Sequence, residues 1–195
     1  MIAAMTYDEA RAALRQMLLD RSVRRGEFKL VSGATSSVYV DGKLTTLHSP
    51  AMPLIGRCLL TLMDRRGWRP QAVGGLSIGA DPIVVAVARE SLAWSFQCDA
   101  YLVRKEAKKH GTQKHIEGIQ EPRGMNAVVI DDVCSTGGST AIAIEKTLEA
   151  GMHVLGAVCL VDREMGAPEN LRKQFGVELD SLFRLSDLVS DSRTS

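Results

Sequence analysis

Met125-Asn126-Ala127-Val128-Val129-Ile130-Asp131-Asp132-Val133-Cys134-Ser135-Thr136-Gly137-Gly138-Ser139-Thr140 is the stretch on which the fold turns. Its first part, Ala127 to Ile130, is a short unbroken apolar run rich in β-branched residues. A strand buried on both faces of a parallel sheet reads this way, because neither face has to meet water. Two adjacent carboxylates, Asp131 and Asp132, then stand where the strand is expected to emerge. Small hydroxylated residues and a Gly pair follow, and the helical pattern Ala141 to Leu148 begins at once. Strand, small-residue loop and helix start are the layout of a phosphate cradle. Unpaired N–H groups at the helix start point at an anion, and the macrodipole favours negative charge there. Gly137 and Gly138 admit close backbone approach, while Ser135, Thr136 and Ser139 add hydroxyl donors. Carboxylates repel phosphate, so Asp131 and Asp132 are expected to face sugar hydroxyls, Mg²⁺ or a cationic transition state. A solvated strand end is the plainer reading of the same pair.

Around this stretch, 195 residues fit one domain with a sizeable core. A composition of 45% hydrophobic and 24% charged residues is that of an ordinary soluble globular protein. The net charge of +1 gives no reason to expect general nucleic-acid affinity. Cys58, Cys98, Cys134 and Cys159 show no C-x-x-C spacing, which argues against a zinc site or disulfide framework and for a reducing cytoplasm. No apolar run approaches transmembrane length, and the N-terminus has no signal-peptide core.

Thr6 to Asp20 reads as an amphipathic helix opened by the capping box Thr6-x-x-Glu9. Alternation at Phe28/Leu30 and Val38/Val40, with a Gly-containing turn between, predicts a β-hairpin. Ser49 and Pro50 predict a helix start, with Leu54, Ile55, Cys58, Leu59, Leu62 and Met63 as its buried stripe. Ala72 to Gly75 is a short strand running into Leu76-Ser77-Ile78-Gly79-Ala80-Asp81-Pro82, at the mouth of a helix to about Ser91. That turn reads equally as a second anion site and as an ordinary strand–helix connection.

Gln97 to Val103 is another strand candidate, leading into a basic loop from Arg104 to Gly118. Besides Arg104 it carries Lys105, Lys108, Lys109, His110, Lys114 and His115 but no aromatic residue, so the base-stacking pattern of single-strand binders is missing. Val154 to Val161 predicts a further buried strand with the polar exit Asp162-Arg163-Glu164. Arg163 there is either a bidentate carboxylate clamp or half of a surface ion pair with Asp162 or Glu164. Leu171 to Phe175 fits a helix, Ser181 to Leu185 a short strand, and residues 190–195 a polar tail.

Three blocks carry a resemblance. The Asp131-Asp132 loop resembles the ribose-phosphate loop with which type I phosphoribosyltransferases hold 5-phosphoribosyl-1-diphosphate (PRPP). The hairpin block, with Phe28, Leu30, Ser32-Gly33, Ser36, Tyr39 and Asp41, resembles the hood of orotate phosphoribosyltransferases. Arg104-Lys105-Glu106-x-Lys108-x-His110-Gly111 is similar to their catalytic loop. The resemblance runs from Gly26 to Leu188 and implies an α/β fold, a parallel sheet flanked by helices. It divides the chain into a small hood over about 1–45, a core over about 46–189 and the tail. It further implies transfer of phosphoribose from PRPP to orotate, with Mg²⁺ riding on the diphosphate rather than on protein ligands, in the synthesis of UMP.

Residue by residue, the resemblance implies that Asp131 and Asp132 orient the ribose hydroxyls. Val133, Cys134, Ser135, Thr136, Gly137, Gly138 and Ser139 would hold the 5′-phosphate, and Ile78 and Gly79 would meet the diphosphate. Arg104, Lys105, Lys108 and His110 would close over that diphosphate, His110 as candidate proton donor, with Gly111 and Gly118 as hinges. Tyr39, Val40 and Ser135 would flank orotate and Arg163 would grip its carboxylate. A homodimer sharing loop 104–118 across its interface is implied as well, with no nucleic acid and no membrane as partner. Two positions depart from the family: Val31 and Gly79 stand where many members carry Lys. The rival expectations are a phosphoribosyltransferase for another base and a PRPP-sensing regulator of the same fold.

Overall fold

The structure, a computed structural model, describes residues 5–29, 35–106 and 115–189. Leu30, Val31, Ser32, Gly33, Lys108, Lys109, His110, Gly111, Lys114 and the tail lie outside the described residues. Helix α1 (Tyr7–Arg21) opens the chain with the expected reciprocal cap: Thr6 accepts the Glu9 N–H, and the Glu9 carboxylate accepts the Thr6 N–H. Strands β1 (Val23–Lys29) and β2 (Thr35–Val40) pair antiparallel as their alternation requires, with a register shift between Arg25 and Phe28. A short helix α2 (Lys43–Thr46), which the sequence reading does not foresee, leads to α3 (Met52–Arg65).

Helix α3 begins later than Ser49-Pro50 suggests. The His48 carbonyl accepts the N–H groups of Ala51 at 2.9 Å and Met52 at 3.3 Å, so Ser49 and Pro50 are used in a turn. Pro53, which has no N–H to satisfy, takes the first-turn position instead.

The remaining elements alternate strand and helix: β3 (Ala72–Leu76), α4 (Asp81–Ser91), β4 (Asp99–Val103), β5 (Ile116–Glu117), β6 (Asn126–Cys134), α5 (Gly138–Glu149), β7 (His153–Asp162), α6 (Ala167–Phe175), β8 (Leu179–Arg184) and α7 (Leu185–Val189). The six-stranded sheet has the order β5-β4-β3-β6-β7-β8, all pairs parallel except β4 with β5. Successive side chains of β6 serve opposite layers. Val128 and Ile130 pack with Leu14, Ile55, Leu59, Ile83 and Val87 of α1, α3 and α4. Ala127 and Val129 pack with Ala143, Ile144 and Leu171 of α5 and α6. Both faces of the sheet are covered, and that is why the run Ala127–Ile130 contains no polar residue.

After β3 the chain crosses to β4 on one side of the sheet, while β6 lies on the other side. This is a topological switch point, where the turns after adjacent strands diverge and open a crevice beyond their carboxyl ends.

Candidate active site

The crevice is bordered by the β6–α5 loop and the β3–α4 turn. Strand β6 does not stop at the carboxylates; it continues through Cys134, held to β7 by the pairs Asp131↔Cys159, Val133↔Val161 and Cys134↔Asp162. The pleat therefore sends Asp131 and Asp132 to different surroundings. Asp131 is only 5% exposed. Its Oδ2 accepts from the Thr140 hydroxyl at 2.8 Å and its Oδ1 from the Asp132 N–H at 3.0 Å. The Cys134 Sγ lies 3.0 Å from the same Thr140 oxygen. Burial, then repulsion from Asp132, pushes the Asp131 carboxyl up to about 7. The solvated strand end that its position suggested is thus replaced by an interior carboxyl held by local donors.

Asp132 is half-buried, and its Oδ1 accepts the Val133 N–H at 2.9 Å. Two glycines make room for it. A Cβ at Gly79 would stand 2.6 Å from Oδ1, and one at Gly42 would stand 3.0 Å from Oδ2. A side chain at position 79, where many family members carry Lys, would require the Asp132 carboxylate to move. The exposed side chain of that turn is Ile78, 73% accessible. Lys43 follows Gly42 and pairs with Asp41 at 2.9 Å. Its ammonium is raised by that hydrogen bond, against partial burial, with Asp132 adding to the attraction.

Beyond β6 a cavity of about 340 Å³ is lined by Asp131, Val133, Cys134, Ser135, Thr136, Gly137, Gly138 and Ser139. Gly137 takes a left-handed conformation, φ 86°, which turns the chain into α5. No side chain caps α5 and its first turn holds no acid, so its first N–H groups, at the cavity wall, have no side-chain partner. The Asn170 amide of α6 donates to the Thr136 carbonyl at 3.0 Å and holds the loop from behind.

At the end of β7, the Arg163 N–H donates to the Cys134 carbonyl at 2.8 Å, which ties its backbone to the cavity wall. Its Nε is buried without a hydrogen-bond partner. Among the described residues Arg163 makes no ion pair with Asp162 or Glu164, the pairing that the sequence had left open. In the hairpin, Tyr39 is exposed and braced by Phe28 with ring centroids 5.5 Å apart. Val40 is different: its side chain enters the core at 7% exposure, so only its main chain is left to meet a ligand. Arg104 and Lys105 stand exposed after β4, and Arg104 lies 3.7 Å from Glu117. Ser77 donates its N–H to the Val103 carbonyl at 2.9 Å, so the β3 turn and the β4 exit share one rim.

Sequence reasoning missed Gly42, Thr140 and Asn170. Thr140 closes the opening stretch, yet only the tertiary contacts give it a task. The mostly parallel sheet, its switch point and the hydroxyl-lined helix start fit the type I phosphoribosyltransferase class that the Asp131-Asp132 loop resembles.

Comparison with known proteins agrees and goes further, although no family model matches. Orotate phosphoribosyltransferase of Streptomyces avermitilis is 41% identical over 170 residues, covering 87% of this chain and 92% of that protein. The crystal structure of Mycobacterium tuberculosis orotate phosphoribosyltransferase with Fe(III) dicitrate superposes with a TM-score of 0.80 at 36% identity, covering 92% of this chain and 99% of the other. The same enzyme in complex with PRPP gives 0.73 at 31% identity, covering 92% and 91%. The chain belongs to the orotate phosphoribosyltransferase family.

Proposed function

We infer that the protein transfers the phosphoribosyl group of PRPP to orotate, giving orotidine 5′-phosphate and diphosphate in pyrimidine synthesis. One observation carries this reading. An uncapped helix start lined with hydroxyls shares a wall with Arg163, whose backbone is tied to Cys134 and whose side-chain Nε has no hydrogen-bond partner. The first suits a sugar phosphate and the second a carboxylate. A neutral purine has no use for such an arginine.

In this reading Ser135, Thr136, Ser139 and the N–H groups from Gly137 onward hold the 5′-phosphate. Asp132 and the interior Asp131 orient the ribose and tolerate positive charge as the ribosyl centre becomes oxocarbenium-like. Arg104, Lys105, Lys108 and His110 neutralise the departing diphosphate, with His110 as proton donor to a leaving oxygen. Tyr39, Ser135 and the Val40 main chain flank the base. A single half-buried carboxylate, Asp132, beside a phosphate cavity fits Mg²⁺, which keeps most of its shell for water and substrate phosphates. When bound, the ion would offset diphosphate charge. We further propose a homodimer in which loop 104–118 is shared, Arg104 and Lys105 serving one site and Lys108 and His110 the other. Four free, buried cysteines suit a reducing cytoplasm, and no helix among the described residues is long and apolar enough to cross a membrane.

A spectrophotometric assay of orotate consumption with PRPP and Mg²⁺ tests the reading. Lys108→Ala is expected to lower turnover by on the order of a hundredfold. Arg163→Ala is expected to raise KM for orotate by at least about tenfold while leaving KM for PRPP nearly unchanged. Acceptance of another base with orotate left untouched would overturn it.

A further inference from the structure

Arg163 is flanked on both sides by carboxylates, Asp162 and Glu164. Adjacent acids ordinarily neutralise a guanidinium, and a neutralised arginine is a poor clamp for a substrate carboxylate. Here neither acid does so. Asp162 is buried and its Oδ1 accepts the Glu164 N–H at 2.8 Å. Glu164 adopts φ 58°, the single left-handed non-glycine residue among those described. A side-chain-bearing residue keeps that conformation only where surrounding contacts hold it. The contacts are specific. Its Oε2 accepts the Ser186 N–H at 2.9 Å and its Oε1 accepts the Ser186 hydroxyl at 3.0 Å, so both oxygens are engaged at the junction of β8 and α7. The Arg163 backbone is meanwhile fixed to Cys134.

We propose that Ser186 and Glu164 form a latch that withholds Glu164 from Arg163, keeping the guanidinium unpaired for a planar anionic carboxylate on the base. Both are positioning residues that act through Arg163, and the proposal rests on the reading of Arg163 as the orotate clamp. Release of the latch lets the Glu164 carboxylate swing to its neighbour and compete with the substrate. The signature is a loss confined to one substrate.

The test is steady-state kinetics on three variants of the full chain, each first checked for unchanged thermal unfolding. Arg163→Ala probes the underlying reading by itself: no rise in KM for orotate sinks the clamp and the latch with it. With the clamp upheld, Ser186→Ala, which removes the hydroxyl bond to Oε1 and keeps the N–H bond to Oε2, is expected to raise KM for orotate about twofold without moving KM for PRPP. Ser186→Ala/Glu164→Gln is expected to return KM for orotate to the wild-type value, because a neutral amide cannot compete for the guanidinium. An unchanged KM in Ser186→Ala, or an elevated KM that persists in the double variant, overturns the latch while leaving the clamp standing.

Discussion

Two strand–turn–helix junctions open on the same crevice, and they are made of opposite materials. After β6 the loop is rich in hydroxyls, and the first turn of α5 holds neither an acid nor a side-chain cap. After β3 the exposed side chain is the apolar Ile78, and the first turn of α4 carries Asp81, whose Oδ1 accepts from the Ser77 hydroxyl at 2.9 Å. Asp81 already complements the positive end of α4, so an arriving anion finds that dipole partly answered. In the proposed function the first junction is self-sufficient as an anion site. The second would supply backbone and space, and would draw its positive charge from Arg104 and Lys105 on the neighbouring rim.

The strongest challenge to this contrast lies in the first junction. Asp131→Asn is expected to lower turnover by on the order of a hundredfold. It should also change how stability depends on pH. The folded state raises the Asp131 carboxyl to about 7, so folding favours its protonated form. That contribution is fully present below the ordinary carboxylate range near about 4 and is lost as pH rises through about 7. Removing the charge should thus flatten the decline, and the variant should melt roughly 5 °C above wild type at pH 8 by calorimetry. An unchanged pH profile would mean that Asp131 is not the buried acid described.

A smaller effect is expected at the second junction. In Gly79→Ala the new methyl must displace the Asp132 carboxylate, and KM for PRPP should rise about tenfold, equivalent to roughly 1.4 kcal/mol. An unaltered KM would show that Asp132 has slack. The smallest expected effect is a gain. Asp81→Asn removes the acid from the first turn of α4 and should lower KM for PRPP about twofold at low salt, fading as ionic strength rises. If KM rises instead, Asp81 is a needed part of the turn and the two junctions are less different than they look.

What was legible in the sequence follows the same division. The apolar run of β6, the capping box of α1 and the antiparallel pairing of the hairpin strands are local signals, and each appears among the described residues where its spacing required. The chemistry of the first junction was equally local, because hydroxyls and glycines sit together in one loop. Continuation of β6 through Cys134 was not legible, since Asp131 is made tolerable inside by Thr140, nine positions on and on another element. Nor was the need for Gly42 and Gly79 visible. Both answer to a single carboxylate reached only through the fold. Glu164 read as one more surface acid until its backbone angle and its grip on Ser186 were seen.

Strand β5 is only two residues long, yet it has a consequence for how the enzyme can be rebuilt. It pairs Ile116 with Val103 and Glu117 with Leu102, and the Arg104 N–H meets the His115 carbonyl at 2.9 Å. The stretch between Arg104 and His115 accordingly departs from and returns to one clasp, whatever route it takes. Its length can be changed at positions other than those of Lys105, Lys108 and His110 while the β4–β5 pairing stays in register. A stretch twice as long would cost only about 0.6 kcal/mol in closure entropy.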